Sequence, residues 1–173
     1  MIRVFDATPL IYLVKVDRLG LVADLDGRNL IPEAVYDEVV IAGMQGGYQD
    51  ARRIDRAVED DTFEVVSVDR DDSPVADGLS RHPGLSEADV DVLVCAETRE
   101  AMAIMDEAAG RSAATVEGIE TRGTAFLVLT AVKEGIIKTE AGREIIDGMI
   151  EAGWYLAPDL YGKVIHKLES LGE

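Results

Sequence analysis

Four carboxylates stand where the predicted strands and helices begin or end: Asp6, Glu38, Asp89 and Asp106. Asp6 follows the mostly apolar run 2–5 and Asp106 follows the run 103–105, so both are expected at the tips of buried parallel strands. Open α/β sheets place their ligand crevice at those tips. Converging carboxylates repel one another, and a divalent cation with oxygen ligands relieves that repulsion. The pattern therefore predicts a site for a hard metal ion rather than a histidine or thiol site.

The elements that must position these acids alternate between strand and helix patterns, as a parallel α/β sheet requires. Strands are predicted over residues 2–5, 29–31, 63–68 and 103–105. Helices are predicted over residues 8–16, onward from 32, 48–60, onward from 86, 110–116 and 125–134. The fold class expected is therefore α/β, with helices that could lean Glu38 and Asp89 over the strand tips.

Local signals complete this prediction. Thr8 is expected to cap the first helix, with Pro9 at its first position. The segment 69–84 is rich in Asp, Pro and Gly and is expected to form one exposed loop. A final helix–strand–helix unit is predicted over 140–152, 154–156 and 158–171, so that it extends a single domain of residues 1–173 from about residue 139.

Composition limits the class of protein. The chain has 173 residues, of which 47% are hydrophobic, and this is enough for one domain with a full core and too apolar for a disordered chain. No apolar run approaches the length of a membrane span, and the N-terminus lacks a signal-peptide pattern. Cys95 is the one cysteine and has no internal partner for a disulfide. We therefore expect a cytoplasmic protein without a membrane partner.

The charge balance has two possible explanations. Thirty-four acids against 17 bases give a formal net charge of −17, and such a surface opposes the binding of nucleic acid at low salt. Either nucleic acid is not the partner, or the acidity is an adaptation to very high salt, where charge is screened within about 3 Å at 1 M. The scarcity of lysine and the abundance of aspartate favour the second explanation and an origin in a salt-loving archaeon.

Each acid also has a purely structural interpretation that the sequence leaves open. Asp6 could cap the helix that follows it, and Glu38 lies on a polar helix face. Ser86 and Asp89 have the spacing of a capping box, in which Asp89 binds backbone at a helix start. The Asp106-Glu107 pair could simply favour a helix N-terminus.

Five segments, in this order, resemble the PIN-domain ribonucleases, and the likeness extends over nearly the whole chain. The segments are 6–13 (DATPLIYL), 31–40 (IPEAVYDEVV), 85–93 (LSEADVDVL), 105–107 (MDE) and 123–125 (GTA). The likeness is to the toxin-like branch related to VapBC toxin–antitoxin systems. Thr8 replaces the usual serine of that branch and keeps the hydroxyl, and Glu107 replaces a common second aspartate.

The resemblance implies a PIN-like three-layer α/β/α sandwich with a mostly parallel sheet. It also implies an endoribonuclease that depends on Mg²⁺ or Mn²⁺. Asp6 and Asp106 would be direct metal ligands, and Glu38 and Asp89 would bind directly or through water. Further implied are the toxin half of a type II pair, a homodimer, and a small antitoxin protein that covers the acidic pocket.

Residues of second rank are assigned on the same basis. Thr8 would orient a ligand or water through its hydroxyl, and Asp91 and Glu107 are secondary acids. Arg111 lies one helical turn beyond Asp106 and is the candidate for binding the RNA phosphate.

Three rival functions stay open. A PIN-like module could bind metal or nucleic acid without catalysis. A ribosomal-RNA processing nuclease is possible, although the chain has no zinc-binding cysteine cluster. Aspartyl-phosphate chemistry at Asp6 would expect a second aspartate two residues later, where this chain has Thr8.

Overall fold

A sheet of five parallel strands forms the centre of the computed structural model, which describes residues 1–172. The strands are β1 (Ile2–Phe5), β2 (Arg28–Pro32), β3 (Glu64–Val66), β4 (Met102–Ile104) and β5 (Thr121–Arg122). Their order is β3-β2-β1-β4-β5. The chain therefore adds β2 and β3 on one side of β1 and then adds β4 and β5 on the other side. The switch point between β1 and β4 is where open α/β sheets form a ligand crevice.

Helices cover both faces of the sheet, and the predicted α/β/α sandwich is confirmed. They are α1 (Ala7–Lys15), α2 (Glu33–Tyr36), α3 (Ala42–Gln45), α4 (Gln49–Glu59), α5 (Ala76–Ser80), α6 (Glu87–Thr98), α7 (Ala108–Glu117), α8 (Thr124–Lys133), α9 (Thr139–Glu151) and α10 (Pro158–Leu171). A π-helical segment, Asp37–Ile41, joins α2 to α3, and 3₁₀ turns lie at Leu19–Asp24 and Arg70–Asp72.

The reversal in strand order decides which helices share a layer, because parallel crossovers are right-handed. Helix α6 packs against β1, β2 and β4 and contacts α2, α5 and α7. Helix α1 instead contacts α4 and α9, and α8, α9 and α10 pack on one another. No helix within residues 1–172 combines the length and apolarity that crossing a bilayer would require.

The core explains the apolar stretch that marks α6 in the sequence. Every residue from Val92 to Ala96 is at most 1% exposed, as are Val4 and Phe5 of β1. Strands and helices covered on both sides are apolar throughout rather than alternating. The expected heavy burial of this helix is confirmed.

The start of α1 differs from the prediction. The N-cap residue is Asp6, in extended conformation at the end of β1, and α1 begins at Ala7. Thr8 therefore lies in the first turn instead of capping the helix. Pro9 is tolerated there because first-turn N–H groups have no intrahelical partner.

Three further predictions are wrong in part. Residues 69–84 are not one loop: they contain a 3₁₀ turn and α5, because Ala76 and Leu79 bury their side chains. Residues 154–156 are not a strand but belong to an irregular link between α9 and α10. The missed strand is β5, which has only two residues and no apolar pattern. Glu173, the last residue of the predicted domain, lies outside the described residues.

A glycine at the start of the β1–β2 pairing gives a stability test. Gly27 has φ of +121°, and a Cβ there would lie 2.6 Å from the Met1 carbonyl oxygen. We expect Gly27→Ala to lower the free energy of unfolding by about 1–3 kcal/mol, because strain and overlap add. Urea unfolding measures this. Gly20→Ala is the control, since a Cβ at Gly20 has no neighbour within 4 Å, and equal effects of the two changes would contradict the account.

Candidate active site

Asp6 and Asp106 lie at the same edge of the sheet, on the two strands that flank the switch point. The backbone N–H of Asp6 donates to the carbonyl of Ile104, the last residue of β4, at 3.0 Å. Asp106 follows Ile104 by two residues. The structure thus places both acids at the carboxyl ends of adjacent parallel strands, where the sequence pattern predicted them.

Asp6 is buried and strongly perturbed. Its side chain is 4% exposed. Burial is the main cause that raises the pKa of Asp6, and the charges of Asp89, Glu107 and Glu38 also raise it, whereas a hydrogen bond from the Ala7 backbone lowers it. The net result is a pKa of about 7. These four acids, Asp6, Glu38, Asp89 and Glu107, are called the acidic cluster below.

Glu38 belongs to the same electrostatic group although its side chain is exposed. Its pKa is raised, first by partial burial and then by Asp89 and Glu107. Glu38 lies in the π-helical segment, and such wide turns occur often at functional sites because they redirect side chains. The sequence pattern predicted a helix here but not its π-helical turn.

Asp89 is held by the capping box that its spacing from Ser86 predicted. The Ser86 N–H donates to Asp89 Oδ2 at 2.9 Å, and the Asp89 N–H donates to Ser86 Oγ at 3.1 Å. Asp89 is also 8% exposed and raises the pKa of both Asp6 and Glu38. The capping role and membership of the acidic cluster therefore coexist in one side chain.

Asp106 is fixed by three donors. The Thr124 N–H donates to Oδ1 at 2.8 Å, and the Thr124 hydroxyl donates to Oδ2 at 2.6 Å. The Trp154 indole N–H also donates to Oδ2, at 3.3 Å. A Cβ at Gly123 would lie 2.8 Å from Oδ1, so glycine permits this close approach. Asp106 thus binds the backbone at the start of α8 as well as ending β4.

Sequence reasoning missed the roles of Thr124 and Trp154. Thr124 appeared only within a segment that resembles the family, and Trp154 was placed in a strand. The signal available was the Gly-Thr pair before an apolar helix, but nothing in the chain indicated which carboxylate it would meet. Glu107 has a lower rank than Asp106 in the sequence analysis. In the structure, it is the charge of Glu107 that raises the pKa of Asp6 and of Glu38.

The other predicted residues lie in different surroundings. Thr8 lines a cleft together with Asp106 and Arg111. Asp91 is paired with Arg70 at 2.9 Å, and Arg70 also pairs with Glu87 at 2.8 Å, so this group forms a separate ion-pair network. The exposed Arg111 side chain has no ion pair or hydrogen bond to any residue between 1 and 172.

The donor set fits a hard divalent cation by its chemistry. The cluster and Asp106 offer only carboxylate oxygens, the ligands that Mg²⁺ and Mn²⁺ prefer. Across the described residues no three His, Cys, Asp or Glu side chains converge closely enough to hold an ion as they stand. Burial is the main cause of the raised pKa of Asp6, and the neighbouring carboxylates add to it, so a bound cation would relieve part of this unfavourable environment.

The perturbed carboxyl of Asp6 predicts a pH dependence of stability. Its pKa is about 7 in the folded chain and near 3.8 when unfolded, so between these values only the folded state keeps the proton. Stability must therefore fall as pH rises from about 4 to 7. Relative to Asp6→Asn, the wild type without metal should lose on the order of 3 kcal/mol over this range, at about 1.4 kcal/mol per pKa unit.

Urea unfolding in EDTA at several pH values measures this difference. Asp77→Asn is the matched control, because Asp77 is exposed on α5 and is not among the charges that raise the pKa of Asp6 or Glu38. Its curve should run parallel to that of the wild type. If the Asp6→Asn curve is also parallel, the perturbation of Asp6 is refuted.

Comparison with known proteins agrees with this geometry. A family model described as a PIN domain matches residues 2–170. No curated protein matches the chain. PIN domains are generally nucleases and generally use divalent metal ions. Because the match spans almost the full length of the chain, this chain belongs to the PIN-domain family.

Proposed function

We propose that this chain is a metal-dependent endoribonuclease that hydrolyses RNA phosphodiester bonds with Mg²⁺ or Mn²⁺. The observation that carries the proposal is the placement of acids from separate elements near one edge of the sheet, close enough for their charges to act on Asp6. Their charges act on a single buried carboxyl, and the pKa of Asp6 is raised to about 7. A fold without a cation-dependent role at this edge would gain stability by replacing such acids.

In the proposed site, Asp6, Glu38, Asp89 and Asp106 hold the metal, and Glu107 is a further candidate. A divalent ion supplies, when bound, Lewis acidity toward the phosphodiester and toward water. A carboxylate has about four acceptor positions, and three on Asp106 receive donors from Thr124 and Trp154. Asp106 therefore contributes through a single remaining position, and its direction is fixed by those donors.

The chain's own groups also favour an anionic substrate. Helices α1, α6, α7 and α8 all begin close to the acids, and helix N-termini carry partial positive charge. Arg111 is the cation placed to bind a phosphate beside Asp106, and the Thr8 hydroxyl lies in the same cleft. These groups offset the acids where a phosphate has to approach.

We further propose that the whole chain acts as one PIN-like domain and as the toxin of a type II toxin–antitoxin pair. The resemblance of segments 6–13 and 31–40 to that branch supports this role. The same likeness supports a homodimer in the cytoplasm and a small antitoxin that covers the acidic pocket. The net charge of −17 supports an origin in a salt-loving archaeon, so assays belong in high salt.

Substitution of the two strand-tip acids tests the activity. In high salt with Mn²⁺, we expect wild-type protein to cut single-stranded RNA. Asp6→Asn and Asp106→Asn should each lose about 100-fold or more of kcat/KM, since even residues that only support metal ligands typically cost 10–100-fold. Cleavage of a labelled RNA mixture is the measurement.

Asp77→Asn serves as control and should cut like the wild type. Full activity in both strand-tip variants would remove these acids from the mechanism. A folded wild type that binds metal and cuts no RNA would favour the binding module instead.

Metal binding has a readout that does not depend on activity. Because a cation would relieve the repulsion within the acidic cluster, Mn²⁺ or Mg²⁺ should raise the thermal midpoint of the wild type. At 100 times its Kd an ion adds about 2.7 kcal/mol, which corresponds to roughly 5–10 °C for a chain of this size. Asp6→Asn should lose most of this shift and Asp77→Asn should keep it. An equal shift in all three proteins would mean that the ion binds elsewhere.

A further inference from the structure

A cleft of about 640 Å³ opens directly beside Asp106. Its lining includes Asp106, Glu107 and Arg111, together with residues of α1, α8 and α10 and of the link between α9 and α10. Its volume lies within the range of sites for small molecules, about 300–1,000 Å³. Asp106, which is proposed to hold the metal, and Glu107 of the acidic cluster therefore also form part of the wall of this mainly apolar recess.

The lining of this cleft combines flat rings with guanidinium groups. The Arg122 guanidinium lies 5.5 Å from the centre of the Phe126 ring. Arg122 is held there by an ion pair to Glu120 at 3.0 Å and a hydrogen bond to the Thr121 carbonyl at 2.8 Å. Because these contacts fix the guanidinium, it presents a preformed planar surface. Unpaired nucleobases stack on such Arg planes and on aromatic rings.

Tyr155 and Trp154 contribute to the cleft in different ways. Tyr155 is 80% exposed, so its ring is free to stack with a ligand. Trp154 is 4% exposed, and its indole N–H is bound to Asp106. Trp154 therefore forms a rigid wall that links the recess to the acid, and Tyr155 provides the accessible face.

Charge distinguishes a nucleotide from an apolar peptide as the occupant. The cleft is lined by two acids, Asp106 and Glu107, as well as by Arg111 and Arg122. Arg122 is paired with Glu120, so Arg111 is the cation of this lining that is left for an anionic ligand. Arg111 has no ion-pair or hydrogen-bond partner among the described residues. An apolar peptide would not need an unpaired guanidinium, whereas a nucleotide brings both a phosphate and a planar base.

We propose that this cleft binds one unpaired nucleotide next to the phosphodiester that is cut. Its base stacks against Tyr155 and the Arg122–Phe126 pair, and its phosphate contacts Arg111. The inference rests on the proposed nuclease function, and it requires that the bound nucleotide is unpaired, because a base within a duplex cannot enter the recess.

The chain contains one tryptophan, and it lies in this cleft, so its fluorescence reports on occupancy. The probes are adenosine 5′-monophosphate and ribose 5-phosphate, which differ only by the base and contain no internucleotide bond to cut. With Mg²⁺ and high salt, the nucleotide should change Trp154 fluorescence saturably. Ribose 5-phosphate should bind at least tenfold more weakly.

Tyr155→Ala should weaken nucleotide binding about tenfold, within the range for loss of one stacked base. It should lower kcat/KM on single-stranded RNA by a similar factor without lowering the thermal midpoint. Tyr48→Ala is the matched control, because Tyr48 is 70% exposed and lies outside the cleft.

The possible outcomes separate this inference from the proposed function. Nucleotide binding without RNA cleavage would uphold the subsite and overturn the nuclease. RNA cleavage with no effect of Tyr155→Ala on fluorescence or kcat/KM would overturn the subsite alone. Equal binding of adenosine 5′-monophosphate and ribose 5-phosphate would overturn base recognition. A response only to an apolar peptide would also overturn it and would indicate a protein partner.

Discussion

Repulsion among carboxylates at the carboxyl edge of the sheet is the constraint on which the other features of this structure depend. Asp6 is buried at that edge within reach of three other negative charges. The fold accommodates the cost by hydrogen bonding: Asp89 accepts from the Ser86 backbone, and Asp106 accepts from Thr124 and Trp154. Helix N-termini surround the same edge and add partial positive charge. These contacts hold the acids in place without neutralising their negative charge. A bound cation would neutralise that charge.

The parts of the fold that follow from local chemistry could be predicted from the sequence. The apolar runs that end in Asp6 and Asp106 indicated strand tips, and the parallel sheet brings those tips together. The spacing of Ser86 and Asp89 predicted a capping box, because that motif depends only on neighbouring residues. The burial of α6 followed from its apolar composition. All of these are short-range signals, or they depend on the one switch in strand order.

The remaining features depend on contacts between residues far apart in the chain. Thr124 and Trp154 are separated from Asp106 by 18 and 48 positions in the sequence. No local pattern near either residue predicts Asp106 as its hydrogen-bond partner. The strand β5 has two residues and is stabilised by pairing with β4 rather than by its own propensity. The π-helical turn at Glu38 leaves no recognisable change in the hydrophobic periodicity of the sequence. Such features become visible only when packing is known.

The hydrogen bond from Trp154 to Asp106 also has a consequence for how the protein is made. Chains emerge from the ribosome from the N-terminus, at about 5–20 residues per second. The acidic cluster and Asp106 all precede residue 108, whereas the indole that completes the set of donors lies beyond α9. In a nascent chain, the acidic cluster and Asp106 are therefore synthesised before the residue that holds Asp106 in its final orientation. The finished geometry is reached only after synthesis has passed Trp154 and the indole has docked against Asp106.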